Sequence, residues 1–139
     1  MVTAPPRPVS IARVAPLEIT RGQAAQVRVK ITVDPGFHVQ ANPASNPQLI
    51  PTRLEVAVPL GMSVGEILYP AGKPYRLAGA DKDISTYDGT FEVIVSLTAT
   101  AQARRGSRSL RGKLRYQACD DKNCFFPQSA GVALPVIIK

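Results

Sequence analysis

Thirteen prolines spread along the chain speak against any long helix, because a proline inside a helix removes a backbone hydrogen bond and clashes with the preceding turn. The apolar residues repeat at every second position instead. Ala25, Val27, Val29, Ile31 and Val33 alternate with Gln26, Arg28, Lys30 and Thr32, the period of a strand with one face in a core and the other in water. Leu54, Val56 and Val58 repeat the pattern against Arg53, Glu55 and Ala57. So do Phe91, Val93, Val95 and Leu97, and so do Leu110, Gly112, Leu114 and Tyr116, which turns Arg111, Lys113 and Arg115 outward.

Turn chemistry separates these runs. Asp34-Pro35-Gly36 ends one strand, since proline presets φ and glycine accepts positive φ, and Phe37 to Gln40 begins the next. Asn42–Pro51 holds three prolines and two asparagines and is expected to be irregular. Met62–Leu68 is a weaker strand, broken by Gly65, and Tyr69–Asp83 reads as a long loop. Pro135 places Val132–Ile138 at a sheet edge or a bulge. About seven to nine short antiparallel strands of this kind predict an all-β fold, an immunoglobulin-like β-sandwich. A closed barrel of similar size fits the same pattern.

At 139 residues the chain is one domain, able to bury a core without staples or metals. Residues 1–9 are expected to be a linker or cloning-derived segment and residues 10–139 the domain. No apolar run reaches membrane-spanning length and Met1–Pro8 lacks the pattern of a secretory signal, so an exported protein would have lost its signal ahead of this start. The net charge is +7, with six bases at Arg104, Arg105, Arg108, Arg111, Lys113 and Arg115. No aromatic residues interleave with them for stacking on bases, so nucleic acid is not an expected partner. A solvated basic face is expected, with attraction to an acidic partner or an anionic membrane as the other reading.

Chemistry concentrates at the only two cysteines, in Cys119-Asp120-Asp121-Lys122-Asn123-Cys124. A bridge closing so short a ring stabilises less than one closing a long loop, about 2 kcal/mol against about 4 to 5. It is better placed for exchange, because either thiolate can attack a mixed disulfide made by the other. Asp120 and Asp121 oppose thiolate formation and Lys122 favours it, so no strongly depressed thiol pKa is expected. A structural staple and an inert buried pair remain open beside the redox reading. Zinc needs four ligands and His38 is the single histidine, so a zinc site would have to call on Asp120 or Asp121 as well. Copper would call on Cys119, Cys124, His38 and Met62, which no spacing brings together.

Phe125-Phe126-Pro127 follows Cys124 directly. These residues serve either as core packing or as an apolar collar over the cysteines, extended by Tyr116 and Tyr87. His38 reads as an ordinary half-buried residue, and neither a hydrolytic constellation nor a phosphate loop is present.

Three stretches resemble a known family, the N-terminal periplasmic domains of the thiol:disulfide interchange protein DsbD. They are Gly36-Phe37-His38-Val39-Gln40-Ala41-Asn42-Pro43-Ala44-Ser45 with Leu49-Ile50-Pro51-Thr52 after it, Leu114-Arg115-Tyr116-Gln117-Ala118-Cys119, and Cys124-Phe125-Phe126-Pro127. The likeness runs over about residues 10 to 138. It implies an immunoglobulin-like fold and a protein-disulfide reductase domain without a cofactor, outside the cytoplasm. Its pair would be reduced by a thioredoxin-like domain fed through a membrane electron-transfer domain, and would in turn reduce periplasmic disulfide isomerases or cytochrome c maturation thioredoxins. By the same resemblance, Cys124 forms the interchain disulfide and Cys119 resolves it.

The family shields its cysteines with a cap loop that often bears an aromatic residue. The matching loop lies between about Tyr75 and Tyr87, where Leu77-Ala78-Gly79-Ala80-Asp81 offers no phenylalanine and leaves Leu77, Tyr75 or Ile84 for the task. Phe126 stands in place of the first proline of the family's Pro-Pro pair, with Pro127 kept. A non-catalytic immunoglobulin-like interaction domain with a short structural disulfide is the alternative. The expected state is a monomer.

Overall fold

The computed structural model describes residues 5–139; the first four residues of the expected linker lie outside the described residues. The chain forms twelve strands in order: β1 (Val9–Ile11), β2 (Leu17–Ile19), β3 (Ala24–Val33), β4 (His38–Gln40), β5 (Arg53–Val56), β6 (Met62–Leu68), β7 (Lys73–Tyr75), β8 (Ile84–Tyr87), β9 (Thr90–Ala99), β10 (Gly106–Tyr116), β11 (Ala118–Cys119) and β12 (Gln128–Ile138). Among the described residues there is no helix. The strand count exceeds the expected seven to nine because several pieces, among them β1, β2, β7 and β11, are only two or three residues long.

Three four-stranded sheets result, ordered β1-β3-β9-β6, β2-β12-β10-β5 and β11-β4-β8-β7. The alternation read from sequence sets which side chains meet. Val27, Val29, Ile31 and Val33 from β3 and Val93, Val95, Leu97 and Ala99 from β9 are buried together with Leu110, Leu114, Leu134 and Val136 in one core. Each such valine, leucine or isoleucine side chain stabilises the fold by roughly 1.5–3 kcal/mol relative to its exposure in water.

Local departures have local causes. β6 continues through Gly65 but shifts register between Val64 and Ile67 against β9, as a glycine-marked bulge does. The long loop expected over Tyr69–Asp83 contains β7, which pairs with β8. Pro135 lies within β12 and pairs with Ser109 of β10. On the other flank β2 pairs in parallel only from Val136 onward, so the position of Pro135 is locally an edge and its missing N–H is tolerated. Arg111, Lys113 and Arg115 are exposed. Arg108 is not part of that wet face, because it shares the inward phase of Leu110, and its Nε is buried without a partner.

Candidate functional site

The third sheet builds the site. The turn at Asp34–Gly36 is closed by the Phe37 N–H donating to the Asp34 carbonyl at 3.1 Å, and Gly36 takes φ 86°. The chain therefore enters β4 with His38 set opposite Cys119 of β11, and Val39 opposite both Ala118 and Tyr87. Directly paired residues share a face, and neighbours along a strand point to opposite faces. One face thus carries Ala118, Val39 and Tyr87 into the core. The other carries Cys119, His38 and Gln40, with Thr86 paired to Gln40 and with Lys73 and Tyr75 from β7.

Cys119 and Cys124 form a disulfide at a sequence separation of 5, with Cα atoms 4.0 Å apart. The ring is a tight turn held from inside. Asp120 N–H donates to the Asn123 carbonyl at 2.8 Å, and outside the bridge Phe125 N–H donates to Ala118 O at 2.8 Å. The Asp120 carboxylate accepts from the N–H groups of Lys122 at 2.8 Å and Asn123 at 2.7 Å, the use of an aspartate that opens a turn. Those two backbone donors, Asn123 first, hold its carboxyl below the ordinary range.

The two cysteines differ in access. Cys119 is 0% exposed, whereas Cys124 is exposed. Gln40, itself 0% exposed, donates its Nε2 to Cys119 Sγ at 3.3 Å. Beside it the His38 ring stacks on Tyr75 with centroids 3.7 Å apart, and His38 Nε2 lies 3.8 Å from Asp88. Burial lowers the His38 pKa below its ordinary value, an effect partly offset by Asp88.

The cap expected between Tyr75 and Tyr87 is the β7–β8 connection. Arg76 and Asp83 form an ion pair at 2.9 Å across its neck. It reaches the cysteine ring through the backbone, Ala78 N–H donating to the Asp121 carbonyl at 3.0 Å, while the Tyr75 hydroxyl donates to the Asp120 carbonyl at 3.4 Å. Leu77 is half-buried in this loop and Ile84 begins β8.

The apolar collar divides in two. Phe125 is half-buried and its ring lies 6.3 Å from that of Phe37, whereas Phe126 is 90% exposed. Pro127 is half-buried just before β12. Pro5, Gln117, Cys124, Phe125 and Phe126 line an open depression of about 290 Å³. Tyr116 and Tyr87 belong to the core. Tyr116 donates to Gln128 Oε1 at 3.0 Å, and Tyr87 donates to the Pro70 carbonyl at 2.7 Å while packing on Phe91. Met62 pairs with Ala99 in β6 and β9, outside the third sheet, and no group of three or more His, Cys, Asp or Glu among the described residues is arranged to hold a metal ion.

Sequence reading missed Gln40, whose only signal was a polar residue in strand phase with His38. It also missed that His38 faces a cysteine.

The family model for the N-terminal domain of the thiol:disulfide interchange protein DsbD matches residues 6–135. The chain belongs to the DsbD N-terminal family. The N-terminal periplasmic domain of ScsB from Proteus mirabilis is similar in fold, with a TM-score of 0.64 at 14% identity over 96% of this chain and 49% of that one. The chain thus spans about half the length of that ScsB domain. The reduced DsbD N-terminal domain of Neisseria meningitidis aligns at a TM-score of 0.44 and 14% identity, over 78% of this chain and 74% of that one. No curated protein sequence matches the chain. As a DsbD N-terminal domain carrying a disulfide between its two cysteines, the protein is a thiol–disulfide exchange domain.

Proposed function

We propose that this DsbD N-terminal domain, residues 10–139 being its working unit, carries two electrons from a thioredoxin-like donor to a periplasmic disulfide isomerase or a cytochrome c maturation thioredoxin, as part of a larger membrane reductase. The observation that supports this reading is the unequal exposure of the paired cysteines, Cys119 buried and Cys124 open beside Phe126. Exchange requires a thiolate to approach one sulfur in line, so access selects the sulfur attacked. A donor thiolate attacks Cys124 Sγ, a new intermolecular disulfide forms, and the electron pair of the broken bond leaves on Cys119 as a thiolate. The donor's second thiolate then attacks its own sulfur in the mixed disulfide and releases Cys124. The donor is oxidised to its disulfide and the pair is reduced by two electrons. Delivery runs the same steps in reverse, Cys124 attacking the acceptor and Cys119 resolving.

No cofactor enters these steps. Phe126 and the depression beside Cys124 offer the partner an apolar seat, while the β7–β8 connection, tied to the ring by Ala78 and Tyr75, shields the buried sulfur. The protein acts as a monomer that docks one partner at a time.

The test is a redox titration against a defined thiol/disulfide buffer, together with trapping by the Cys119→Ser variant. A potential above about −300 mV and a stable mixed disulfide through Cys124 with a thioredoxin-like protein support the reading. A potential well below about −300 mV makes the pair a short staple on an interaction domain.

A further inference from the structure

We infer that Gln40 is a catalytic group of the exchange reaction, its side-chain amide holding the thiolate that Cys119 becomes when the disulfide opens. The inference rests on the exchange reading above. Cys119 is 0% exposed, so a charge left on its sulfur has no water to solvate it, and burial raises the pKa of a thiol. A thiolate of high pKa is a slow leaving group. The step needs a donor already aimed at that sulfur.

Gln40 supplies one. Its Nε2 lies 3.3 Å from Cys119 Sγ across 79 residues of sequence, and the backbone of Gln40 is fixed on both sides. Gln40 N–H donates to the Gln117 carbonyl at 3.1 Å, and its own carbonyl accepts from Thr52 N–H at 3.1 Å and from Thr52 Oγ1 at 2.7 Å. The amide is therefore positioned before reaction, and its N–H gains strength as charge develops on sulfur in a dry site.

Among the titratable groups around the pair, none donates a hydrogen bond to Cys119 Sγ, although His38 Nδ1 is buried without a partner. His38, opposite Cys119, stacks on Tyr75 and turns Nε2 toward Asp88, which also meets Lys73. Tyr75 donates to the Asp120 carbonyl, and the Asp120 carboxylate holds two backbone N–H groups. Asp121 and Lys122 are exposed on the ring, and Tyr87 of β8 lies on the opposite face.

The residue choice has a cost that packing does not explain. Gln40 is fully buried, yet its Oε1 has no partner, and an aliphatic side chain of similar length would avoid that penalty. A chemical role accounts for both ends of the amide. The N–H supports the thiolate, and after a half-turn of the amide Oε1 accepts the S–H once Cys119 takes up a proton.

The reaction to follow is reduction of the isolated domain by dithiothreitol, which needs no protein partner. One dithiothreitol thiolate attacks Cys124 Sγ and Cys119 leaves as thiolate; the second dithiothreitol thiolate closes the cyclic disulfide and expels Cys124. In Gln40→Met the second-order rate constant is expected to fall roughly tenfold, the scale of losing one hydrogen bond to a charged group. In a Cys124→Ser background the titration midpoint of Cys119 moves up by about one pH unit in Gln40→Met. Gln40→Glu slows reduction further as its own carboxyl ionises, a pH dependence that a packing role does not produce. In the unmutated domain the side-chain amide protons of Gln40 shift on reduction more than those of other glutamines, a readout independent of how well any variant folds. Unchanged rates and midpoints in folded variants, or amide protons that do not respond to reduction, overturn the assignment. Failure to trap a thioredoxin-like protein bears on the proposed function and leaves these readouts standing.

Discussion

Cys119 and Cys124 share one covalent bond but meet solvent in opposite ways, the first fully buried and the second exposed. The difference follows from where each falls in the third sheet. Cys119 ends β11 and is paired to β4, whereas Cys124 lies past the turn and is joined to Cys119 by an isolated β-bridge.

Alkylation should therefore be unequal. After reduction, iodoacetamide is expected to modify Cys124 at least roughly tenfold faster than Cys119, because both thiolate access and burial favour it. Peptide mapping by mass spectrometry over a time course checks this, and equal rates would refute the assignment of Cys124 as the attacked sulfur.

Phe126 is a large apolar side chain left 90% exposed, so its loss removes little folded-state packing. Phe126→Ser should leave the melting temperature nearly unchanged and lower the rate of exchange with a thioredoxin-like partner. Its rate with dithiothreitol should not change. A comparable fall with both reductants would assign Phe126 to the ring's own geometry instead.

The β7–β8 connection hangs from Gly72, where an added Cβ would collide with Ser85 Oγ and lie 2.7 Å from the Ala41 Cβ. Gly72→Val should displace this hairpin from β4 and lower the melting temperature. It should also speed reduction of the disulfide, as the hydrogen bonds from Ala78 and Tyr75 to the ring loosen. A slower reduction would contradict a shielding role for the connection.

His38 gives a pH dependence of definite sign. Its pKa in the fold lies below the ordinary 6.5, chiefly through burial. The unfolded chain therefore binds more protons than the fold between the two values, and the unfolded state gains on acidification. Thermal stability should be greatest above pH 6.5 and fall as pH drops below that value toward the folded pKa, with a shallower fall in His38→Gln. Calorimetry across that range is the check.

Leu114 is fully buried in β10, five residues ahead of Cys119. Leu114→Ala should cost about 2–5 kcal/mol of stability, seen by chemical denaturation. The spectroscopic environment of the disulfide in the remaining folded population should be retained.

Much of the scaffold is written locally. Alternation in Ala25–Val33, Phe91–Thr98 and Leu110–Gln117 specifies strands because the pleat itself has a period of two. Asp34-Pro35-Gly36 specifies its turn through backbone preferences of three adjacent residues. The close cysteine pair and its aromatic flank were legible for the same reason, since every part lies within a few positions.

The rest depended on pairing between distant segments. Gln40 reaches Cys119 only because β4 lies beside β11, and His38 meets Tyr75 and Asp88 only because β8 and β7 extend that sheet. Tyr87 went to the core for the same reason, its register with Val39 placing it on the far face from the sulfur. The sequence by itself determined strands, turns and a close cysteine pair, because periodicity and turn chemistry are properties of neighbouring residues. Which sulfur is open, which amide faces the other and which arginine turns its Nε inward were decided by sheet order and register, which exist only once the chain has folded.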